Sequence, residues 1–162
     1  MKRLILVRHA KSSWDNPGLK DFDRPLSQRG LADAALMGGK ITLRPNHVLS
    51  SSAERTRQTV ELLLEEMGMN PDAVEFSDAL YHASCHQLLQ SVTRLRDNHD
   101  CAMLVAHNPG VAEFIEEFTN IRPARVPTCS VFTLGYQVSS WGDVEHTRPG
   151  EQEFLFPGMY RD

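Results

Sequence analysis

The sequence predicts an α/β sandwich, a mostly parallel central sheet covered by helices on both faces, built as one domain over residues 1–162 with no large lid. Two apolar runs without alternation, Leu4-Ile5-Leu6-Val7 and Ala102-Met103-Leu104-Val105-Ala106, carry the prediction. Strands buried on both faces belong to sheets covered by helices. The third observation is that strand-like runs alternate with stretches of helical periodicity along the whole chain.

The first strand gives way at Lys11 to a loop reaching Pro25, rich in turn formers and alternating charge. Structureless loops of that length in compact domains usually serve function. Ser27 is the expected N-cap of a helix running to about Thr42, packing through Leu31, Ala34 or Ala35, and Gly38, with Gly38-Gly39 approaching the sheet. His47 to Ser50 reads as a second strand. Val60, Leu63, Leu64 and Met67 form one apolar stripe on a helix from Ala53 to about Met67, stopped by Gly68 and Pro71. Val74 to Phe76 is a short third strand. Ser84 and Gln87 have capping-box spacing ahead of a helix that buries Leu88, Val92 and Leu95. After the strand at Ala102–Ala106, Asn108 as N-cap and Pro109 as first helical residue open a helix to about Phe118. A strand from Cys129 to Tyr136 and a hairpin-like tail through Glu153 to Phe156 close the chain.

Composition narrows the function classes. The formal net charge of −4 disfavours nucleic acid, so an anionic partner must be met by a local cluster of arginines. No apolar stretch has membrane-spanning length, and the four aliphatic residues after Met-Lys-Arg are too few for a signal peptide. The three cysteines, Cys85, Cys101 and Cys129, are too few and scattered for a disulfide framework, and Cys101 and Cys129, in apolar strands, are expected as buried core residues. A cytoplasmic monomer that binds no membrane is the expectation.

Ligands of open parallel sheets bind beyond the carboxyl ends of the strands. Three strand-to-helix junctions deliver polar residues there: Arg8 and His9, then Ser50-Ser51-Ser52 with Arg55, then His107 and Asn108. Guanidinium forks and helix-start amides suit a phosphoryl group, with Ser51 and Asn108 on the substrate side.

These residues resemble a known family. Val7-Arg8-His9-Ala10-Lys11 is similar to the RHG/RHA signature of the histidine phosphatase, or phosphoglycerate-mutase-like, superfamily. Ser50 to Thr59 is similar to its SSPxxRAxQTA block, and Val105 to Gly110 to the block holding its second histidine. Asp21 to Gly30 and the tail from Gly150 resemble the small SixA-type phosphohistidine phosphatases. Ser52 stands where the superfamily often has Pro, and Ala10 where many members have Gly. The resemblance implies a phosphoglycerate-mutase-like three-layer fold without a lid and a metal-independent, cofactor-free phosphatase. His9 would take the phosphoryl group, with Arg8, Arg55 and His107 around its oxygens and Arg24 toward the substrate. The implied substrate is phosphohistidine on a signalling or phosphocarrier protein, and inorganic phosphate is the product.

Ester-cleaving relatives insert a carboxylic acid between the middle blocks. Here Asp78 to Ser84 is short, and His82 takes the position where similar sequences often carry Glu. An alkoxide needs an acid to leave, whereas an imidazole titrates near neutrality. The pocket therefore favours N–P over O–P bonds. Two alternatives remain open. One is a phosphomonoesterase for small phosphorylated metabolites, drawing its acid from His82 or from a carboxylate of the Lys11–Pro25 loop. The other is a phosphate- or phosphoprotein-binding module without chemistry. His82, Cys85 and His86 do not read as a zinc site, because Ser84 as N-cap leaves His82 before the helix and no fourth ligand is near.

Overall fold

The computed structural model describes residues 1–161. Its strands are β1 (Lys2–Arg8), β2 (His47–Ser51), β3 (Val74–Ser77), β4 (Cys101–Ala106), β5 (Val131–Tyr136) and β6 (Glu151–Leu155). They form one six-stranded sheet in the order β3-β2-β4-β1-β5-β6. The pairs β2–β3, β2–β4 and β1–β4 are parallel, whereas β5 runs antiparallel to both β1 and β6. The sheet is thus parallel on the side that carries the junctions and antiparallel on the other.

Four α-helices cover it: α1 (Gln28–Gly38), α2 (Glu54–Glu66), α3 (Cys85–Thr93) and α4 (Gly110–Phe118). Leu4 and Leu6 of β1 point into one core with Leu88, Val92, Phe114, Ile115, Phe132 and the fully buried Trp141. Ile5 and Val7 point into the other with Ala34, Met37, Val60, Leu63 and Leu64. Each buried Leu, Ile, Val, Phe or Met among them contributes roughly 1.5–3 kcal/mol. That two-sided demand is why the first strand shows no alternation.

Register places the junctions side by side. Arg8 pairs with Ala106 and Ser50 with Val105, so His9 and His107 leave the sheet at the same level, with Ser51, the last residue of β2, one residue below them. The His9 amide donates to the Ala106 carbonyl at 3.1 Å, and the His9 carbonyl accepts from Cys129 at 2.9 Å.

Several local expectations are corrected. Helix α1 stops at Gly38, short of Thr42, with Gly39 as its C-cap. Leu31 is 41% exposed, and the packing face is Gly30, Asp33, Ala34, Met37 and Gly38. Gly38 approaches α2 and not the sheet: a Cβ there would lie 2.7 Å from that of Glu66. Pro109, not Asn108, occupies the N-cap of α4. Cys129 is buried but precedes β5, with a left-handed φ of 60°. Cys101 is only half-buried, at the start of β4. Ser27 and the Ser84–Gln87 capping box sit as the spacing predicts.

Candidate active site

The residues at the three junctions meet beyond the strand ends. The rings of His9 and His107 lie 5.1 Å apart, tilted by 57°. Both are buried. Nδ1 of His9 lies 2.7 Å from the carbonyl oxygen of Ala10. A carbonyl can only accept, so that nitrogen carries the proton and Nε2 keeps its lone pair. Nε2 of His107 lies 2.8 Å from the Ser51 hydroxyl, while its buried Nδ1 has no partner among the described residues. The Ser51 oxygen also accepts from the Ala53 amide at 3.3 Å. In the tautomer where that hydroxyl donates its proton to Nε2, the second imidazole presents Nδ1–H as a donor.

Both imidazoles are held neutral. Burial pushes His9 down to about 3, with the cations of Arg55, Arg8 and Arg24 adding and the Ala10 hydrogen bond opposing. His107 is also lowered to about 3, by burial first and then by His9 and Arg55.

Arg8 donates through Nη1 to the Val126 carbonyl at 2.9 Å, and its buried Nε is unpartnered among the described residues. Burial, then the neighbouring Arg55, lowers its pKa. Arg55, buried at the start of α2, donates to the Asp21 carbonyl at 2.8 Å and to the Asp21 carboxylate at 3.0 Å. Arg24 is buried in the loop. It donates to the Ser13 carbonyl at 3.1 Å, to the Asp21 carboxylate at 3.1 Å and to the Ser12 hydroxyl at 2.6 Å. Its guanidinium lies 3.3 Å from the centre of the exposed Trp14 ring.

Asp21 and Tyr81 are the residues that sequence reasoning missed by name. The Tyr81 hydroxyl donates to the Asp21 carboxylate, and its ring stands edge-on to His107 with centroids 5.5 Å apart. Asp21 thus gathers Tyr81, Arg55 and Arg24. The Tyr81 hydrogen bond, then those from Arg55 and Arg24, hold its carboxyl far below the ordinary range against the opposing effect of burial. The Asp21-x-x-Arg24 spacing was the available signal, since turn residues three apart can pair.

The remaining expected residues lie at the margin. His82 is exposed and packs on Tyr81, ring centres 3.9 Å apart. The Asn108 carboxamide is engaged by the Val126 carbonyl and the Ala112 amide, both at 3.2 Å. Ser52 hydrogen-bonds to Asp78. A separate cleft, lined by His47, Glu75, Arg94 and His99, lies outside this cluster.

Comparison with known proteins bears on this geometry. Residues 4–81 match the sequence model of the histidine phosphatase superfamily (branch 1). An uncharacterized protein of Mycobacterium tuberculosis is 37% identical over 161 residues, covering 86% of this chain and 92% of the relative. A chloroplastic uncharacterized protein of Arabidopsis thaliana is 32% identical over 151 residues, covering 86% of this chain and 69% of its own length. A crystal structure from Agrobacterium tumefaciens, assigned to phosphohistidine phosphatase SixA, superimposes with a TM-score of 0.78 at 28% identity, over 95% of this chain and 97% of that one. The protein histidine phosphatase SixA complexed with tungstate shares the fold, with a TM-score of 0.76 at 18% identity over 98% and 99% of the two chains.

Proposed function

Because this chain belongs to the histidine phosphatase superfamily and is SixA-like within it, we propose that it is a metal-independent phosphohistidine phosphatase acting on a phosphorylated protein. The observation that carries the reading is the Ala10 carbonyl on Nδ1 of His9, which leaves a neutral Nε2 as nucleophile in a pocket shared with His107, Arg8 and Arg55.

Nε2 attacks phosphorus, an N–P bond forms, and the substrate imidazole departs with the electron pair of the old bond. Its other ring nitrogen titrates near neutrality, and with a proton taken there from solvent the group leaves as neutral imidazole. The unpartnered Arg8 Nε and His107 Nδ1 point to donors for the phosphoryl oxygens. Arg55 meets them by sharing or releasing Asp21. Water then attacks the phosphoryl-enzyme, and phosphate leaves as His9 is restored. A related fold that takes up tungstate, a tetrahedral oxyanion, supports a phosphate-shaped pocket.

Asp21 supports the N–P substrate. It is the loop carboxylate that an esterase could use as an acid, yet Tyr81, Arg55 and Arg24 hold it ionised. An ionised carboxylate has no proton for an alkoxide.

Incubation with a labelled phosphohistidine protein, quenched in alkali, tests the reading. Label should sit on His9, be absent in His9→Ala, and give way to free phosphate. Turnover of the phosphohistidine protein should exceed that of sugar phosphates by on the order of 10² or more, the weight of a missing acid. Preference for the esters would make the protein a phosphomonoesterase. Tight phosphoprotein binding with neither label nor released phosphate would make it a binding module.

A further inference from the structure

Away from this site, the first turn of α3 meets the last turn of α4 around three potential metal donors. Cys85 Sγ lies 3.5 Å from Nδ1 of His86 and 3.4 Å from Oε2 of Glu117. Nε2 of His86 lies 3.4 Å from Oε1 of the same carboxylate. One ligand atom from each residue falls within 4.8 Å of the other two. From the sequence alone His82, Cys85 and His86 do not read as a zinc site, since His82 precedes the helix and no fourth ligand is near. The fold leaves His82 on Tyr81 and supplies Glu117 in its place.

We propose that Cys85, His86 and Glu117 bind a divalent transition ion, with Zn²⁺ the best match, through three protein ligands and water. The donor set of thiolate, imidazole and carboxylate suits Zn²⁺ and disfavours the hard ions Mg²⁺ and Ca²⁺. Around a tetrahedral zinc, sulfur sits about 3.5 Å from a nitrogen or oxygen ligand, from Zn–S of about 2.3 Å and Zn–N or Zn–O of about 2.0 Å. The two sulfur separations in the structure already have that length. The Phe118 ring stands edge-on to His86 at 5.7 Å, and the imidazole and carboxylate side chains are 67% and 51% exposed. The ion therefore has a path in and room for a water ligand, while the thiol forms a buried floor.

The charges balance. In the metal-free protein the thiol proton is donated to Glu117; on binding it goes to solvent, and thiolate plus carboxylate neutralise the dication. The same bonds would clip α3 to α4 just beyond the segment that delivers Tyr81 to the catalytic pocket. Without metal, the exposed imidazole–carboxylate pair is worth little by itself.

The test uses the full chain with Co²⁺ and Zn²⁺ as probes. Co²⁺ should give a sulfur-to-metal charge-transfer band and tetrahedral d–d absorption, saturating at one ion per chain and displaced by Zn²⁺. His86→Ala and Glu117→Gln, both surface changes, should weaken binding about tenfold or more. Cys85→Ser should abolish the charge-transfer band, while His9→Ala and Cys101→Ser should leave it intact. Zn²⁺ should also raise the unfolding temperature of the wild type and not of His86→Ala. Absence of the band, or binding unchanged in His86→Ala and Glu117→Gln, overturns the site and would put any bound ion elsewhere, as on the paired imidazoles of His9 and His107.

Discussion

Arg55 spends two donors on Asp21, one on its carbonyl and one on its carboxylate, so an incoming phosphoryl group competes with a resident anion. Arg55→Ala should lower kcat/KM on the phosphohistidine protein by on the order of 10² or more, the scale of a lost transition-state donor. Asp21→Asn should change KM more than kcat, because it loosens Arg55 and removes no proton donor; steady-state kinetics separates the two parameters. The two lowered imidazoles make a pH prediction. Their folded values near 3 lie below the ordinary 6.5, so the unfolded chain binds more protons between those limits. Stability is complete above about pH 6.5 and should fall as pH drops toward 3, with a slope of about two protons from this pair. Urea melts at pH 7, 5.5 and 4.5 should show a flatter profile in a His9→Asn, His107→Asn double variant. His9, His107, Arg8 and Arg55 were legible because each lies next to a strand end or helix start. Asp21 and Tyr81 were not, since only the folded loop shows which carboxylate and which phenol face Arg55.

At the scale of elements, close backbone approaches hold the loops that frame the pocket. A Cβ on Gly110 would fall 2.3 Å from the Ala83 carbonyl oxygen, in the segment between Tyr81 and α3. Gly110→Ala should cost about 1–3 kcal/mol, the usual scale of overpacking, and should also lower kcat by displacing Tyr81. At Gly39 the nearest atom to such a Cβ is 3.4 Å away and the backbone is right-handed, so Gly39→Ala should be neutral or mildly stabilising. Thermal melts of the two variants check the contrast. Ser27, Ser84 and the α2 stripe could be read from spacing because caps and amphipathic periods are local. The end of α1 and the exposure of Leu31 could not, because they depend on how α1 lies against α2 at Gly38, a tertiary contact.

For the molecule as a whole, the parallel and antiparallel halves of the sheet carry different duties. The two-sided apolar runs made the parallel half legible. The antiparallel pairing of β5 with β1 left no local mark, yet the Ser130 carbonyl accepts from the Arg8 amide at 3.0 Å and so steadies the pocket. Phe154 on the outer strand stacks on Phe132 at 4.6 Å, two strands removed from β1 and its imidazole. Phe154→Ala should lower stability by about 1–3 kcal/mol and leave kcat/KM unchanged, as denaturant melts and kinetics on one preparation would show. The two tryptophans divide in the same way: Trp14 is 76% exposed over Arg24, and Trp141 is wholly buried beside α3. The chain therefore contains two optical reporters of unlike colour. An oxyanion that disturbs Arg24 should alter the red-shifted emission of the first alone, whereas global melting must shift the blue emission of the second.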